Sequence, residues 1–200
     1  MKKPFFLFLL LAGVILIWFS LSGSGEEDYI KSVEEVITSR KEYLKNNPDS
    51  PFLQMNETYV DPEYYPINPE YRVNAKVERL NKREIISIAN NQSKDERYIK
   101  FAWLHFSLLG KDHKLLVLKP YGFGGSEILF CGFADGTSGV ETYGGGRYLD
   151  VEIGKSDKTT LDFNLAYNPY CAYVEEFVCP LPPAENILEA AIYAGEKIIK

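Results

Sequence analysis

Two hundred residues with 46% hydrophobic and 25% charged side chains describe one globular domain, long enough to bury a single core. The formal net charge is −6, and Lys2 and Lys3 are the only charged residues among the first 25, so the rest of the chain is more acidic still. No basic stripe interleaves with aromatics, and an acidic domain repels phosphate backbones, which argues against a nucleic-acid partner.

In chain order, Lys2 and Lys3 precede FFLFLLLAGVILIWF, an apolar run from Phe5 to Phe19, followed by the small polar tract SLSGSGEED. Positive charge before the run and acids after it place the N-terminus on the inner side of the membrane and the domain outside. The run is long for a signal-peptide core and short for a spanning helix. Trp18 and Phe19 suit an interfacial anchor, while Ser20, Ser22 and Ser24 suit a signal peptidase, so an uncleaved signal-anchor and a cleaved signal both stand. No cysteine follows the run to support lipid attachment. Residues 1–25 are thus read as anchor and linker, with Gly23–Gly25 flexible.

Residues 26–48 read as an amphipathic helix. Tyr29, Ile30, Val33, Val36, Ile37 and Leu44 recur at three- and four-residue spacing. Glu26, Glu27 and Asp28 suit its positive end and Arg40, Lys41 and Lys45 its negative end, and Asn47-Pro48 stops it. Residues 49–200 form a single mainly β domain. A proline-punctuated coil over 49–70 is held by Phe52, Tyr59, Tyr64 and Tyr65. Strands are predicted at 71–79, 84–90, 97–108, 113–119 and 127–133, with shorter ones at 147–153 and 159–164. Turns such as Gly110–Asp112 and Gly122–Ser126 separate them. The tail from Glu185 alternates at Leu188, Ala190 and Ile192 and is assigned as a further strand. The fold class is mainly β (α+β): an antiparallel sandwich or partly open barrel, preceded by the amphipathic helix and the membrane-anchor helix.

The densest concentration of chemistry lies after residue 133. Tyr143-Gly-Gly-Gly-Arg147 lacks the Lys-Ser/Thr ending of a phosphate loop and the spacing of a dinucleotide fingerprint, so no cofactor is implied. Arg147 could hold a ligand carboxylate or phosphate with its planar fork, or pair internally with Asp135, Glu141, Asp150 or Asp162. Asp162, Asn164, Tyr167, Asn168 and Glu185, with Tyr173, are candidates to join it around a small polar or anionic ligand. Alternatively, their Asn and Asp side chains cap turns and their hydroxyls satisfy buried carbonyls. Cys171 and Cys179 could close a short disulfide loop, remain as packed thiols or, less simply, bind metal. The absence of a CxxC pair and the remote His105 and His113 speak against metal. Cys131 reads as a core thiol.

The segments FADGTSG, ETYGGGRYLD, LDFNLAYNPYCAY, CPLPPAEN and AGEK, from Phe133 to Lys197, resemble the bacterial domain-of-unknown-function family numbered 1684. Ser50-Pro-Phe52 and Tyr71-Arg-Val73 are similar to it as well. Tyr170 departs from the family pattern, which often has a second proline there. The resemblance implies no activity. Three function classes therefore remain: a membrane-tethered binding module, a hydrolase acting on an envelope or carbohydrate substrate through a carboxylate pair, and a structural or interaction domain. The enzyme stands below the binder, because no nucleophile–base pair is recognisable.

Overall fold

A computed structural model describes residues 3–122 and 129–199, with side chains from residue 25 onward. Helix α1 runs from Lys3 to Asn46 without a break, so Gly23–Gly25 is helical backbone and not the linker expected there. The anchor expected over residues 1–25 falls almost wholly outside the described side chains. Among the described residues no helix is long and apolar enough to cross a membrane.

After α1 the chain makes the short helix α2 (Pro51–Met55). Ser50 caps it, its hydroxyl accepting from Leu53 N–H at 3.3 Å, and Asn56 ends it in the left-handed conformation at φ 57°. The cap matters beyond the helix, because α2 carries Phe52 onto Leu44 of α1 and Val174 of the C-terminal loops. Ser50→Ala is expected to cost about 1 kcal/mol. The melting temperature should fall by about 2–4 °C, and an unchanged value in a thermal melt would remove α2 from the account of stability.

The sheet contains β1 (Arg72–Arg79), β2 (Ile85–Ala89), β3 (Asp95–Leu108), β4 (Lys111–Pro120) and β7 (Lys158–Asp162), all antiparallel. β3 is the axis. β4 covers one edge through a tight hairpin, from Leu108↔Lys111 to Tyr98↔Pro120. β2 and then β1 share the other edge, pairing with residues 95–99 and 102–105, and β7 lies outside β1. These five strands match the sequence expectation because their side chains alternate with period two. Ala75 and Val77, Leu104, Phe106 and Leu108, Leu115 and Val117, and Leu161 all face one core. The opposite face holds a smaller cluster of Ile88, Tyr98, Leu116 and Leu118.

The sheet does not close into a barrel. The facing layer is mainly loop, with one two-residue ladder between β5 (Gly132–Phe133) and β6 (Arg147–Tyr148). Only fragments of the strands expected at 127–133 and 147–153 therefore form, and part of the first lies outside the described residues. The loops that replace a second sheet are held by side chains. Asn186, fully buried, accepts from Leu116 N–H at 2.6 Å and donates to Leu116 O at 2.9 Å and Gly132 O at 2.7 Å. A single amide thus serves Leu116 on the outer edge of β4 as a neighbouring strand would, next to the backbone bridge of Leu118 with Phe130.

The tail is likewise no strand. It makes a 3-10 turn at Ala184–Asn186 and then an extended strap, with Leu188, Ile192 and Ala194 buried. The alternation read from the sequence is real, but the strap makes only isolated backbone bridges, Ile187 to Ala134 and Glu196 to Tyr64, and no continuous ladder. Arg147 adds a side-chain clasp along it.

Candidate functional site

Arg147 sits at the start of β6 with its side chain completely buried. Nη2 donates to Asp135 Oδ2 at 2.8 Å and Ile192 O at 3.1 Å. Nη1 donates to Ala194 O and, at 3.3 Å, Glu196 O. The carbonyls of Ile192, Ala194 and Glu196 converge on it, so one guanidinium ties the strap down. The preceding glycines serve this packing. At Gly146, with φ 84°, a Cβ would lie 2.6 Å from Phe133 O and 2.5 Å from Pro182 Cγ. Arg147 therefore spends its fork internally on Asp135, one of the acids considered for it, and faces no cleft.

The other candidate residues divide into three places. Asp162 and Asn164 lie under the first half of the described part of α1. Tyr29 Oη donates to Asp162 at 2.9 and 3.0 Å, and Asp162 caps the 3-10 turn Phe163–Leu165. Asn164 is buried. It accepts from Asn68 N–H at 2.9 Å and donates to Asn68 O and Tyr29 Oη, both at 2.9 Å. Burial first, and then Asp162, pushes the Tyr29 hydroxyl well above its usual range. These bonds dock α1 on the sheet. Glu185 is elsewhere, sharing Lys100 with Glu84 at 3.5 and 2.6 Å. It does not join the cluster.

Tyr167 and Asn168 do meet, at a cleft of about 760 Å³ between α1 and the C-terminal loops. Ser32, Glu35, Val36, Ser39, Arg40, Tyr43 and Leu44 line one side, and Tyr167, Asn168, Tyr170 and Tyr173 the other. Val36, expected on the docked face of the helix, is 43% exposed and opens onto this space. The Arg40 guanidinium stacks on Tyr167, 3.6 Å from the ring centroid, while Nη2 reaches Asp150 at 3.3 Å. Tyr167 Oη donates to the other Asp150 oxygen at 2.7 Å. Arg40 is thereby held still from two sides.

Beneath Asn168 lies Glu196, a fully buried carboxyl that the sequence reading missed. It accepts from Tyr173 Oη at 2.5 Å, Asn168 Nδ2 at 2.8 Å, Asn168 N–H at 3.2 Å and Tyr64 Oη at 3.4 Å. Burial raises its proton affinity above the ordinary carboxylate value, against the pull of these donors and of Arg40. The available signal was the tyrosine-rich loop together with AGEK, where an acid follows a glycine that only a left-handed turn requires. Gly195 has φ 77°, and a Cβ there would lie 2.7 Å from both Phe163 O and Ala166 O. Among the described residues, Arg40 Nη1, Asn168 Oδ1, Arg147 Nε and His113 Nε2 are buried side-chain atoms without a hydrogen-bond partner.

Cys171 and Cys179 are free thiols, so the disulfide considered from their spacing is not formed. The loop does bring them together, but as a hydrogen-bonded pair, with Cys171 N–H donating to Cys179 Sγ at 3.2 Å. Hydrogen bonds from Cys179 and then Tyr143 draw the Cys171 thiol down to about 7, whereas the same pairing pushes Cys179 far up. Cys131 lies in the core, where burial raises it to about 12. Among the described residues no group of three or more His, Cys, Asp or Glu is placed to hold a metal ion.

Fold and site together define a class: an open antiparallel sheet braced by an N-terminal helix, with a tyrosine-lined cleft at their junction. The chain belongs to the family described as Protein of unknown function (DUF1684), whose profile matches residues 57–197. The curated proteins contain no match. Among solved structures it is similar to the solution NMR structure of an uncharacterized protein from gene locus rrnAC0354 of Haloarcula marismortui. The two share 32% identity over 87% of this chain and 96% of that one, with a TM-score of 0.66.

Proposed function

We propose that this protein is a membrane-tethered, extracytoplasmic binding domain whose cleft between α1 and the C-terminal loops takes a small polar or anionic ligand. The observation that carries the binding part is the tyrosine-lined cleft of about 760 Å³, with Arg40 held on its wall by Tyr167 and Asp150. A concave, mostly apolar cleft with a few fixed polar groups is the usual form of a small-ligand site. The tether rests on the sequence alone, on Lys2-Lys3 before the apolar run and acids after it. The hydrolase alternative has less behind it, since Asp162 and Glu185 are held by different partners.

A scaffold reading has its own support, because Arg147, Asp162 and Asn164 are all consumed in internal bonds. A thermal-shift screen of small polar and anionic compounds on the full-length protein in detergent separates the two. Binding predicts hits that raise the melting temperature and that vanish in Val36→Trp, which fills the cleft from an exposed position. No hits, or hits indifferent to Val36→Trp, would leave the scaffold. A reporter fused after Lys200 tests the address, and activity of that reporter in the cytoplasm would overturn the tether.

A further inference from the structure

The outer face of the sheet carries a row of basic residues that the fold itself does not require. Lys158 of β7 stands opposite Lys76 of β1, Lys76 opposite His105 of β3, and His105 opposite Lys114 of β4. Four adjacent strands thus place one basic residue each at the same level, and all four are exposed. Neighbouring strands lie about 4.8 Å apart, so the row spans roughly 14 Å. Burying Ala75, Val77, Leu104, Phe106 and Leu161 on the other face demands exposed residues here, but not positive ones. Lys76 and Lys158 are like charges directly opposite, which destabilises a sheet. The row is also at odds with a chain whose net charge is −6.

Its charge is not neutralised within the fold. His105 bonds to Glu78 Oε2 at 2.7 Å, and Lys114 Nζ lies over the Trp103 ring, 4.3 Å from the centroid. Among the described residues neither Lys76 nor Lys158 is in an ion pair. Around these two the surface is hollowed into a basin of about 570 Å³, lined by both lysines together with His105, Asn74, Ser107 and Asp112. Two residues along the strands, about 7 Å away, the next outward level pairs Asn74 with Thr160 and Ser107 with Asp112. There Ser107 Oγ donates to Asp112 Oδ1 at 2.5 Å. The basin therefore has a cationic end and an end of amide, hydroxyl and carboxylate. Two ammonium groups side by side suit a dianionic phosphate, and the other end suits hydroxyls, which both donate and accept.

We propose that this basin binds a small hydroxylated phosphomonoester, of the sugar-phosphate class. Lys76 and Lys158 take the phosphate oxygens, with His105 beside them, and Asn74, Ser107 and Asp112 take the hydroxyls. The site shares no lining residue with the cleft beside α1 and does not rest on the binding reading of that cleft.

The test is calorimetric titration of the full-length protein in detergent at about 0.15 M salt, where diffuse surface charge is largely screened. The probes are glucose 6-phosphate, glycerol 3-phosphate, glucose and inorganic phosphate. At least one phosphomonoester should bind more tightly than inorganic phosphate, and glucose should not bind. Lys76→Gln and Lys158→Gln should each weaken the phosphomonoester about tenfold. Neither should lower the melting temperature of the ligand-free protein, because each relieves the like-charge pair. Lys94→Gln changes the net charge equally from the exposed turn between β2 and β3 and should bind as the wild type does. So should Val36→Trp. The proposal is overturned if neither phosphomonoester binds, if inorganic phosphate binds as tightly, or if Lys94→Gln weakens binding as much as Lys76→Gln. Lower melting temperatures in both basin variants would also overturn it, since the lysines would then be structural. Phosphomonoester binding that survives both basin variants but is lost in Val36→Trp would overturn it as well, and would support the cleft beside α1 as the binding site.

Discussion

Replacing Arg147 by Met is expected to lower the free energy of unfolding by about 3–5 kcal/mol, the range for stranding one member of a buried ion pair. Asp135 would be left as a buried carboxylate, and the carbonyls of Ile192, Ala194 and Glu196 would lose their donor. For a domain whose total stability is about 5–15 kcal/mol, that is a large share. Arg147→Lys keeps the charge but offers a point in place of a fork, and it cannot reach an acid and three carbonyls at once. It should fall between Met and the wild type. Urea unfolding of Arg147→Met, Asp135→Asn and the double variant gives the decisive comparison. The double variant should lose clearly less than the sum of the singles, because the second change removes the stranded charge. Additive losses, or a loss within about 1 kcal/mol for Arg147→Met, would mean that the strap is held elsewhere.

This arginine also shows where sequence reading stops. The strands β1 to β4 and β7 were legible because a half-buried strand writes itself as alternation, and each pairs with a neighbour written the same way. The facing layer is not written so. Beside the isolated backbone bridges of Leu118 to Phe130 and of Ile187 to Ala134, Asn186 serves the edge of β4 and Arg147 the tail, so distant side chains supply much of what a paired strand would. No local pattern announces such a pairing. The candidate site suffered similarly. Of the candidate residues, Tyr167 and Asn168 meet at the cleft, whereas Glu185 lies apart beside Lys100. The sequence reading passed over Glu196, which touches both Asn168 and Tyr173. Arg40 was read as a charge complementing a helix end. Its role at the cleft depends on how α1 docks, which Tyr29, Asp162 and Asn164 settle from sequence positions more than 130 residues apart.

Glu196→Gln should change how stability depends on pH, with a sign fixed by burial. Burial raises the Glu196 carboxyl in the folded protein above its ordinary value of 4.5. The folded state therefore holds this proton more tightly than the unfolded chain. The stabilisation this brings is complete below the unfolded value and is lost as pH rises through the folded one. Gln at 196 mimics the protonated form at every pH. Its Nε2 can donate to Tyr173 Oη, whose hydroxyl turns to accept, and Oε1 keeps the Asn168 N–H, while the clash of Nε2 with the Asn168 Nδ2 donor adds a cost that does not vary with pH. The stability of the wild type relative to Glu196→Gln should thus fall from pH 4.5 upward, by at most about 1.4 kcal/mol per pH unit, and level off once Glu196 ionises. Denaturant titrations of both proteins at each pH measure the difference directly. A difference that is flat, or that rises with pH, would mean that the tyrosine and asparagine donors, with Arg40, outweigh burial and keep the carboxylate charged. Glu196→Ala is the harsher change, since it leaves the Asn168 N–H, Asn168 Nδ2 and Tyr173 Oη without their acceptor. At about 1–3 kcal/mol for each buried group left unpaired, it should unfold the cleft wall before it reports on binding, so Gln is the variant that isolates the charge.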